Sequence, residues 1–219
     1  MTDAGNYVAT MSDRENRLVW YASYGSNCSR ARFLTYLTGG PIPGRDNVQV
    51  GARDDALPRA DAPHEFDHQV RFVGRSYFWG GAPAFLEHRE TEPGALGRRY
   101  LITWGQLDDV VAQESQRTRT ALPLERLSDR TRLTVGEGRY DCLYGLAPID
   151  GLPVVTFTSP DPPEARQGAA PSRPYLSTIV NGLVDTNEWS IDQICARLRL
   201  VDGVAETWSE ADIVSLATP

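Results

Sequence analysis

The sequence is poor in the residues that build disulfide frameworks and soft-metal sites. Its 219 residues include three cysteines and three histidines. A scattered, odd set of cysteines (Cys28, Cys142 and Cys195) is typical of a reducing compartment rather than of a disulfide-stapled secreted domain. His64 and His68 stand four residues apart, a spacing that binds metal when it lies on a helix, but the prolines around them indicate a loop. We therefore predict no metal site there.

The sequence also lacks a basic excess and a long apolar run. Its net charge is −7 and its pI is near 5.0, which argues against nucleic acid and an anionic membrane surface as partners, because no surplus of positive charge exists to neutralise phosphates. No apolar stretch reaches the roughly 18 residues of a membrane-spanning helix, and the polar first residues do not have the apolar core of a signal peptide. We expect a cytoplasmic protein whose oligomeric state the sequence does not fix.

What is present is the composition of an ordinary globular domain, 41% hydrophobic and 23% charged. Residues 1–17 read as a polar N-terminal arm and residues 18–219 as one domain that includes a C-terminal helical extension. Strands are predicted at 18–23, 69–73, 76–79, 84–88, 99–104, 132–135, 140–147 and 154–158, and helices at 30–37, 107–114, 175–184, 191–200 and 206–216. Residues 41–66 are predicted to form one long connection. Because strands and helices do not alternate, a doubly wound parallel sheet is disfavoured, and we predict an α+β fold with a small mixed β-barrel flanked by helices.

The junction at Tyr24-Gly25-Ser26-Asn27 has the features of an anion site. A buried strand leads into it and a helix follows, so backbone N–H groups and the positive helix end meet there. Gly25 permits a positive φ and a close approach to a ligand, while Ser26 and Asn27 add donors. A carboxylate or phosphate would gain about 0.3–2 kcal/mol from such an end. The alternative is an ordinary helix cap that binds nothing.

Glu114 is the candidate acid/base. In the predicted helix, Leu107, Val110 and Val111 form the apolar stripe, and Glu114 continues it at helical spacing. A carboxylate that faces the core is costly to ionise, which is how proteins tune a glutamate to exchange protons near neutral pH. The alternative is a helix that has already frayed, with Glu114 in solvent.

Other candidates carry less chemistry. Tyr175 opens a helix after a proline-rich loop, where most tyrosines pack with a wet hydroxyl group. Arg32, Arg98 and Arg99 are either partners for a ligand carboxylate or ordinary solvated charges. Cys28 as a nucleophile would need a histidine base, as would Ser26, and the few histidines lie in predicted loops or at strand ends.

Four segments, in the same order along the chain, resemble the gamma-glutamylcyclotransferase-like family. The resemblance covers residues 18 to about 184. The segments are Trp20-Tyr21-Ala22-Ser23-Tyr24-Gly25-Ser26-Asn27, Ser76-Tyr77-Phe78-Trp79-Gly80-Gly81-Ala82-Pro83-Ala84, the strand and helix from Tyr100 to Glu114, and Pro171-Ser172-x-x-Tyr175-Leu176-x-x-Ile179.

The resemblance implies both the barrel fold and an activity. It implies cyclisation of a γ-glutamyl group to 5-oxoproline with release of an amine, and it requires no metal or organic cofactor. The backbone of residues 24–27 would hold the α-carboxylate of the substrate. Glu114 would take a proton from the α-amine and deliver it to the leaving nitrogen, and Tyr175 would shape the pocket or hydrogen-bond within it. Because the ring closure is intramolecular, orientation supplies much of the catalysis.

The chain also departs from the family pattern. The arm before residue 17, the connection at residues 45–66 and the helices after residue 186 are additions that could reshape or cover the pocket. Ser115 follows the glutamate where many members have glycine. Three functions therefore stay open at this point: a cyclotransferase, a non-catalytic carboxylate-binding or regulatory protein, and a hydrolytic or acyl-transfer enzyme that reuses Glu114.

Overall fold

The computed structural model describes residues 13–44 and 46–217. Its strands are β1 (Leu18–Ser23), β2 (Gly40–Pro41), β3 (Val48–Gln49), β4 (Ala60–Glu65), β5 (His68–Phe72), β6 (Ala84–Glu90), β7 (Leu96–Thr103), β8 (Arg132–Thr134), β9 (Cys142–Ile149) and β10 (Leu152–Thr158). The α-helices are α1 (Arg30–Thr38), α2 (Trp104–Glu114), α3 (Arg173–Val184), α4 (Ile191–Leu198) and α5 (Glu210–Val214), and short 3-10 turns cover Ser26–Cys28, Leu124–Arg126 and Pro163–Ala165. In the described part of the chain, no helix has both the length and the apolar character needed to cross a bilayer.

Six strands form a mixed sheet in the order β4-β7-β1-β10-β9-β8. The central pair, β1 and β10, is parallel, with Trp20 opposite Val154, whereas β8 and β9 are antiparallel. The hairpins β2–β3 and β5–β6 are separate two-stranded ladders. The α+β class is confirmed, while the strand pairing shows a mixed sheet and does not show the closed barrel.

Two local predictions from the sequence are wrong. The predicted strand at residues 76–79 is a turn, because Gly74 and Gly80 take positive φ angles of 70° and 74° and Ser76 pairs with Gly81 across the loop. Residues 41–66 are not one structureless connection, since they contain the β2–β3 hairpin and all of β4. Pro63 suggested a loop, but β4 is the end strand of the sheet, where a missing N–H donor is tolerated.

Contacts divide the chain into two compact units. Of the described residues, the first comprises 13–21, 34–44, 46–60 and 100–157. Within it, the ring of Tyr21 stacks on Phe157 at 5.1 Å between centroids. Leu107, Val110 and Val111 are fully buried, which confirms the predicted apolar stripe of α2.

Of the described residues, the second unit comprises 22–33, 61–99 and 158–217. Within it, α3 packs directly on the 3-10 turn at Ser26–Cys28. Gly182 makes this possible, because a Cβ there would lie 2.3 Å from the carbonyl carbon of Cys28 and from the backbone nitrogen of Ser29. The predicted C-terminal helices are present as α4 and the short α5.

The predicted N-terminal arm is only partly described. Residues 1–12 lie outside the described residues. From residue 13 onward the segment is engaged, since Arg14 pairs with Asp108 and Glu15 with Arg119, and the N–H of Trp104 donates to Arg17. The described end of the arm is therefore tied to α2 within the first unit.

Candidate functional site

The loop at residues 24–27 is a tight 3-10 turn between β1 and α1. The N–H of Cys28 donates to the carbonyl of Gly25 at 2.9 Å, and that of Ser29 donates to Ser26 at 3.1 Å. The hydroxyl of Ser29 accepts from the backbone N–H of Arg32 at 3.4 Å and so caps α1. Since the turn uses the amides of Cys28 and Ser29, an anion would bind to the amides that precede them.

The members of this loop differ in how far solvent reaches them. Tyr24 and Asn27 are buried, whereas Gly25 and Ser26 are half-buried. The ring of Tyr24 meets Phe66 edge-on, with 6.0 Å between centroids. A ligand that enters from solvent therefore meets Gly25 and Ser26 first, and the buried residues on either side fix the loop.

Gly25 is needed for space rather than for a left-handed backbone. Its φ angle is −111°, so it does not use the positive φ that glycine permits. A Cβ at this position would lie 3.2 Å from the hydroxyl oxygen of Tyr175. The structure thus brings two of the predicted site residues, Gly25 and Tyr175, into direct contact within the second unit.

Tyr175 is held from several sides. It lies in the first turn of α3, where the hydroxyl of Ser172 accepts from its backbone N–H at 3.4 Å. Its own hydroxyl accepts from the N–H of Ala84 at 3.2 Å. Its ring lies 4.8 Å from that of Trp79 and meets Phe72 edge-on at 6.0 Å. Only 3% of its surface is exposed, so Tyr175 is held in one position beside the loop.

Glu114 belongs to the first unit and is the last residue of α2, where it is half-buried. The helix begins with a capping box in which Thr103 accepts from the N–H of Gln106 and the side chain of Gln106 accepts from Thr103. Near its end, Gln113 accepts from the side chain of Gln49 at 2.9 Å and donates to the carbonyl of Tyr36 at 3.0 Å. These contacts fix the backbone that carries Glu114.

The serine at position 115, where many family members have glycine, changes the end of α2 less than that difference suggested. Ser115 has a φ angle of −86°, which any residue adopts. The left-handed position is Gln116, with φ 51°, and the N–H of Arg117 donates to Ala112 at 3.0 Å. This is the hydrogen bond of a Schellman ending, with glutamine in the position usually taken by glycine.

Two buried carboxylates on α2 were not singled out from the sequence. Asp108 binds Arg14 and Arg119, and Asp109 binds Arg53 and Arg119. Burial raises the pKa of the Asp108 carboxyl, against the opposing effect of Arg14. Sequence reasoning could not identify them, because their arginine partners come from distant parts of the chain.

The candidate arginines are not simply solvated. Arg98 is buried and its Nε donates to Asp61 at 2.9 Å, while Arg30 pairs with the other oxygen of Asp61 at 3.0 Å. Arg32 is also buried, and Arg99 is half-buried. Arg98 and Arg30 are therefore already paired with Asp61 within the second unit.

Cysteine and metal chemistry receive no support from the geometry. Cys28 is fully buried, and burial raises the pKa of its thiol to about 12, so the reactive thiolate is absent near neutral pH. His64 and His68 lie on the strands β4 and β5 rather than on one helix. Among the described residues, no group of three or more His, Cys, Asp and Glu side chains is placed to hold a metal ion.

Comparisons with known proteins bear on the fold. No protein-family model matches the chain. A solved structure of gamma-glutamyl cyclotransferase superimposes with a TM-score of 0.53 at 16% identity, covering 91% of this chain and 99% of that one. The chain has the gamma-glutamyl cyclotransferase fold. An uncharacterized protein from Homo sapiens superimposes on this fold with a TM-score of 0.50 at 15% identity, covering 90% of this chain and 98% of the human one.

One sequence relative is much longer than this chain. The chain is 32% identical over 200 residues to the Arabidopsis thaliana protein named Histone deacetylase 5, a match that covers 80% of this chain. The chain spans only 29% of the length of that relative. The superposition on gamma-glutamyl cyclotransferase confirms, at the level of the fold, the resemblance indicated by the four segments.

Proposed function

We propose that this protein is a cyclotransferase that releases 5-oxoproline and an amine from a γ-glutamyl amine or peptide. The observation that carries the proposal is the direct contact between Gly25 of the loop and the hydroxyl of Tyr175, in a chain with the gamma-glutamyl cyclotransferase fold. That contact joins two segments that the resemblance assigned to one pocket and that lie about 150 residues apart in the sequence.

In the proposed reaction, the amides at Gly25 and Ser26 bind the α-carboxylate of the glutamyl unit, as helix N-terminal amides bind anions. The α-amine attacks the γ-carbonyl carbon, which forms the ring C–N bond. Glu114 accepts the proton lost by this amine. The same proton goes to the γ-nitrogen as its bond to carbon breaks, so 5-oxoproline and a neutral amine leave and Glu114 returns to its starting form.

The name of the Arabidopsis relative does not extend to this chain. The match covers less than a third of that protein. The deacetylase activity in its name therefore cannot be assigned to the 200 matched residues. The proposal therefore rests on the fold and on the 24–27 loop.

The experiment is a Glu114→Gln variant assayed for 5-oxoproline by mass spectrometry across a panel of γ-glutamyl amines and dipeptides. Loss of the proton-transfer group should lower turnover by about 10²–10⁴-fold, while the binding of an analogue without the α-amine stays largely intact. Glu125→Gln, a change of an exposed glutamate in the same unit, is the matched control and should leave turnover unchanged. Unchanged turnover in Glu114→Gln would remove the acid/base role, and silence of the wild type across the panel would favour a binding protein.

A further inference from the structure

The segment after α4 forms a compact turn, which we call the C-terminal turn (residues 201–206). It lies beyond the part of the chain that the family resemblance covers. The N–H of Gly203 donates to the carboxylate of Glu206 at 2.9 Å, and the side chain of Arg199 donates to the carbonyl of Ala205 at 2.9 Å. These hydrogen bonds give the C-terminal turn a defined shape within the second unit.

The C-terminal turn packs on the proline-rich loop (residues 159–171), which connects β10 to α3. Gly203 has a φ angle of 88°, and a Cβ there would lie 2.3 Å from the carbonyl oxygen of Ala169. A Cβ at Gly168 would lie 3.0 Å from the Cβ of Asp202. The two backbones are therefore in close contact, and at position 203 glycine supplies both the left-handed backbone and the space.

Asp202 joins this contact to the hairpin β5–β6 through an ion pair. Its carboxylate lies 2.5 Å from Nη1 of Arg71 on β5. The same Nη1 donates to the carbonyl of Arg166 in the proline-rich loop at 3.2 Å, while Nε pairs with the buried Glu87 of β6 at 3.0 Å. Arg71 thus links the hairpin, the proline-rich loop and the C-terminal turn. Since Glu87 would still pair with Arg71, loss of Asp202 would leave no unpaired buried charge.

The proline-rich loop is hydrogen-bonded to both strands of the same hairpin segment. The N–H of Ala169 donates to the carbonyl of Phe72, the last residue of β5, at 2.8 Å. The N–H of Ala82, just before β6, donates to the carbonyl of Ala170 at 3.0 Å. The position of the loop therefore fixes the ends of β5 and β6 that lie next to it.

These strand ends also hold Tyr175. The ring of Phe72 meets the ring of Tyr175 edge-on at 6.0 Å, and the N–H of Ala84 donates to the Tyr175 hydroxyl at 3.2 Å. A Cβ at Gly25 would lie 3.2 Å from the same hydroxyl oxygen. A shift of the proline-rich loop would consequently move the groups that place Tyr175 beside the proposed carboxylate-binding loop.

We propose that the C-terminal turn positions Tyr175 beside the 24–27 loop, and that Asp202 is a positioning residue for the carboxylate-binding side of the site. Asp202 holds Arg71, while Arg71 and Gly203 hold the proline-rich loop, which fixes the strand ends that contact Tyr175. The inference rests on the proposed function only for the identity of the ligand. It gives a role to part of the chain after residue 186, an addition to the family pattern.

Amide hydrogen exchange followed by NMR tests the positioning without a ligand. Asp202→Ala removes the carboxylate and keeps the Cβ that packs near the proline-rich loop. The amides of Ala169, Ala82 and Ala84 should exchange about two- to tenfold faster, the factor that corresponds to one net hydrogen bond. The amide of Phe66, which is bonded elsewhere in the same unit, should keep its rate.

Two further variants control for the loss of charge. Asp202→Asn retains an acceptor oxygen toward Arg71 and should accelerate exchange less than Asp202→Ala does. Glu188→Ala removes an exposed acidic side chain of the same unit and should leave all of these amides unchanged. An increase that is equal at Phe66 and at the three tested amides would mean that Asp202 acts only on global stability, which would overturn the inference.

Calorimetry with glutaric mono-ethylamide tests the link to the site. This compound has the carboxylate and the γ-amide of a γ-glutamyl amine but no α-amine, so it cannot cyclise. Asp202→Ala should weaken its binding by about two- to fivefold, Asp202→Asn by less, and Glu188→Ala not at all. With the best γ-glutamyl substrate, KM should rise by the same factor at constant kcat, because the loop binds the α-carboxylate equally in the ground and transition states.

The outcomes separate this inference from the proposed function. Unchanged affinity in Asp202→Ala, or a loss of kcat at constant KM, would overturn the inference and leave the cyclotransferase standing. Faster exchange confined to Ala169, Ala82 and Ala84, together with a wild type that neither binds the analogue nor turns over any amide, would support the positioning of Tyr175 and overturn the proposed function.

Discussion

The 24–27 loop and the end of α2 are held in place by different kinds of contact. In the second unit, backbones and rings press against glycines, as where Gly25 meets Tyr175 and where Gly182 meets Cys28. In the first unit, the backbone beside Glu114 is held by hydrogen bonds from Gln113. The loop is therefore set by shape, which is sensitive to a single added carbon, and the helix end by polar contacts, which tolerate small shifts in geometry.

This difference matters for the proposed reaction. A site that binds the substrate gains from a rigid, preformed loop, because orientation of the reacting groups then costs little at the moment of reaction. The carboxylate at residue 114 needs a fixed backbone but also a side chain that can exchange a proton. Its half-buried place at the last residue of α2 fits that need.

Gly182→Ala should have the largest effect, because it disrupts the packing of α3 on the turn at Ser26–Cys28. The new Cβ would lie 2.3 Å from the backbone of Cys28 and Ser29, a distance that forces α3 away from the turn. Overpacking should lower the free energy of unfolding by about 2 kcal/mol or more, even though alanine gains about 1 kcal/mol in helix propensity. Urea unfolding measures this loss, and binding of the γ-glutamyl analogue without the α-amine should weaken with it.

Thr178→Ala on the same helix is the control for Gly182→Ala. Thr178 is only half-buried and its hydroxyl bonds back to Pro174 within α3, so its loss should stay within about 0.5 kcal/mol. If Gly182→Ala were as stable as the wild type, the loop region would have to adjust to the added carbon. The proposed difference between the two regions would then be wrong.

The sequence predicted the elements of both regions better than their contacts. The stripe of Leu107, Val110 and Val111 located α2, because helical periodicity is a local signal. At Gly25 the residue type permitted both a positive φ and a close approach. It could not show that the φ angle is −111° or that the hydroxyl of Tyr175 lies beside it. The turn at residues 76–79 was predicted as a strand because its aromatic rings favour one, and the positive φ angles of Gly74 and Gly80 overrule that preference.

His64 offers a pH test of the loop region. Its ring meets Phe66 edge-on at 4.5 Å, and Phe66 in turn contacts Tyr24. Burial, assisted by Arg99, lowers the pKa of His64 from 6.5 to about 4. Between these values the unfolded chain takes up a proton that the folded protein does not, so the free energy of unfolding should decrease as the pH falls from 6.5 to 4.

This loss should be on the order of 2 kcal/mol by pH 4, and it should be absent above pH 6.5. Urea unfolding of the wild type and of His64→Gln across pH 4–8 measures it. The difference between the two curves should be constant above pH 6.5, and the wild type should lose stability relative to His64→Gln as the pH falls. Parallel curves down to pH 4 would show that His64 titrates alike in both states and that the strand beside Phe66 is open to water.

Gln116→Gly is the smallest change and tests the polar region for stored strain. The φ angle of 51° at Gln116 costs a residue with a side chain about 1–2 kcal/mol, a cost that glycine avoids. Glycine also makes the unfolded chain more flexible, which destabilises the fold by about 0.4–1 kcal/mol. The net stabilisation should therefore be about 0.5–1 kcal/mol. Asn187→Gly is the matched control, because Asn187 has a φ angle of 58° but asparagine tolerates this conformation better than glutamine, so it should gain less. Thermal unfolding of the two variants ranks their gains in stability. A larger gain at Asn187 would mean that the backbone at the end of α2 is not strained, and that the hydrogen bonds of Gln113 hold it without strain.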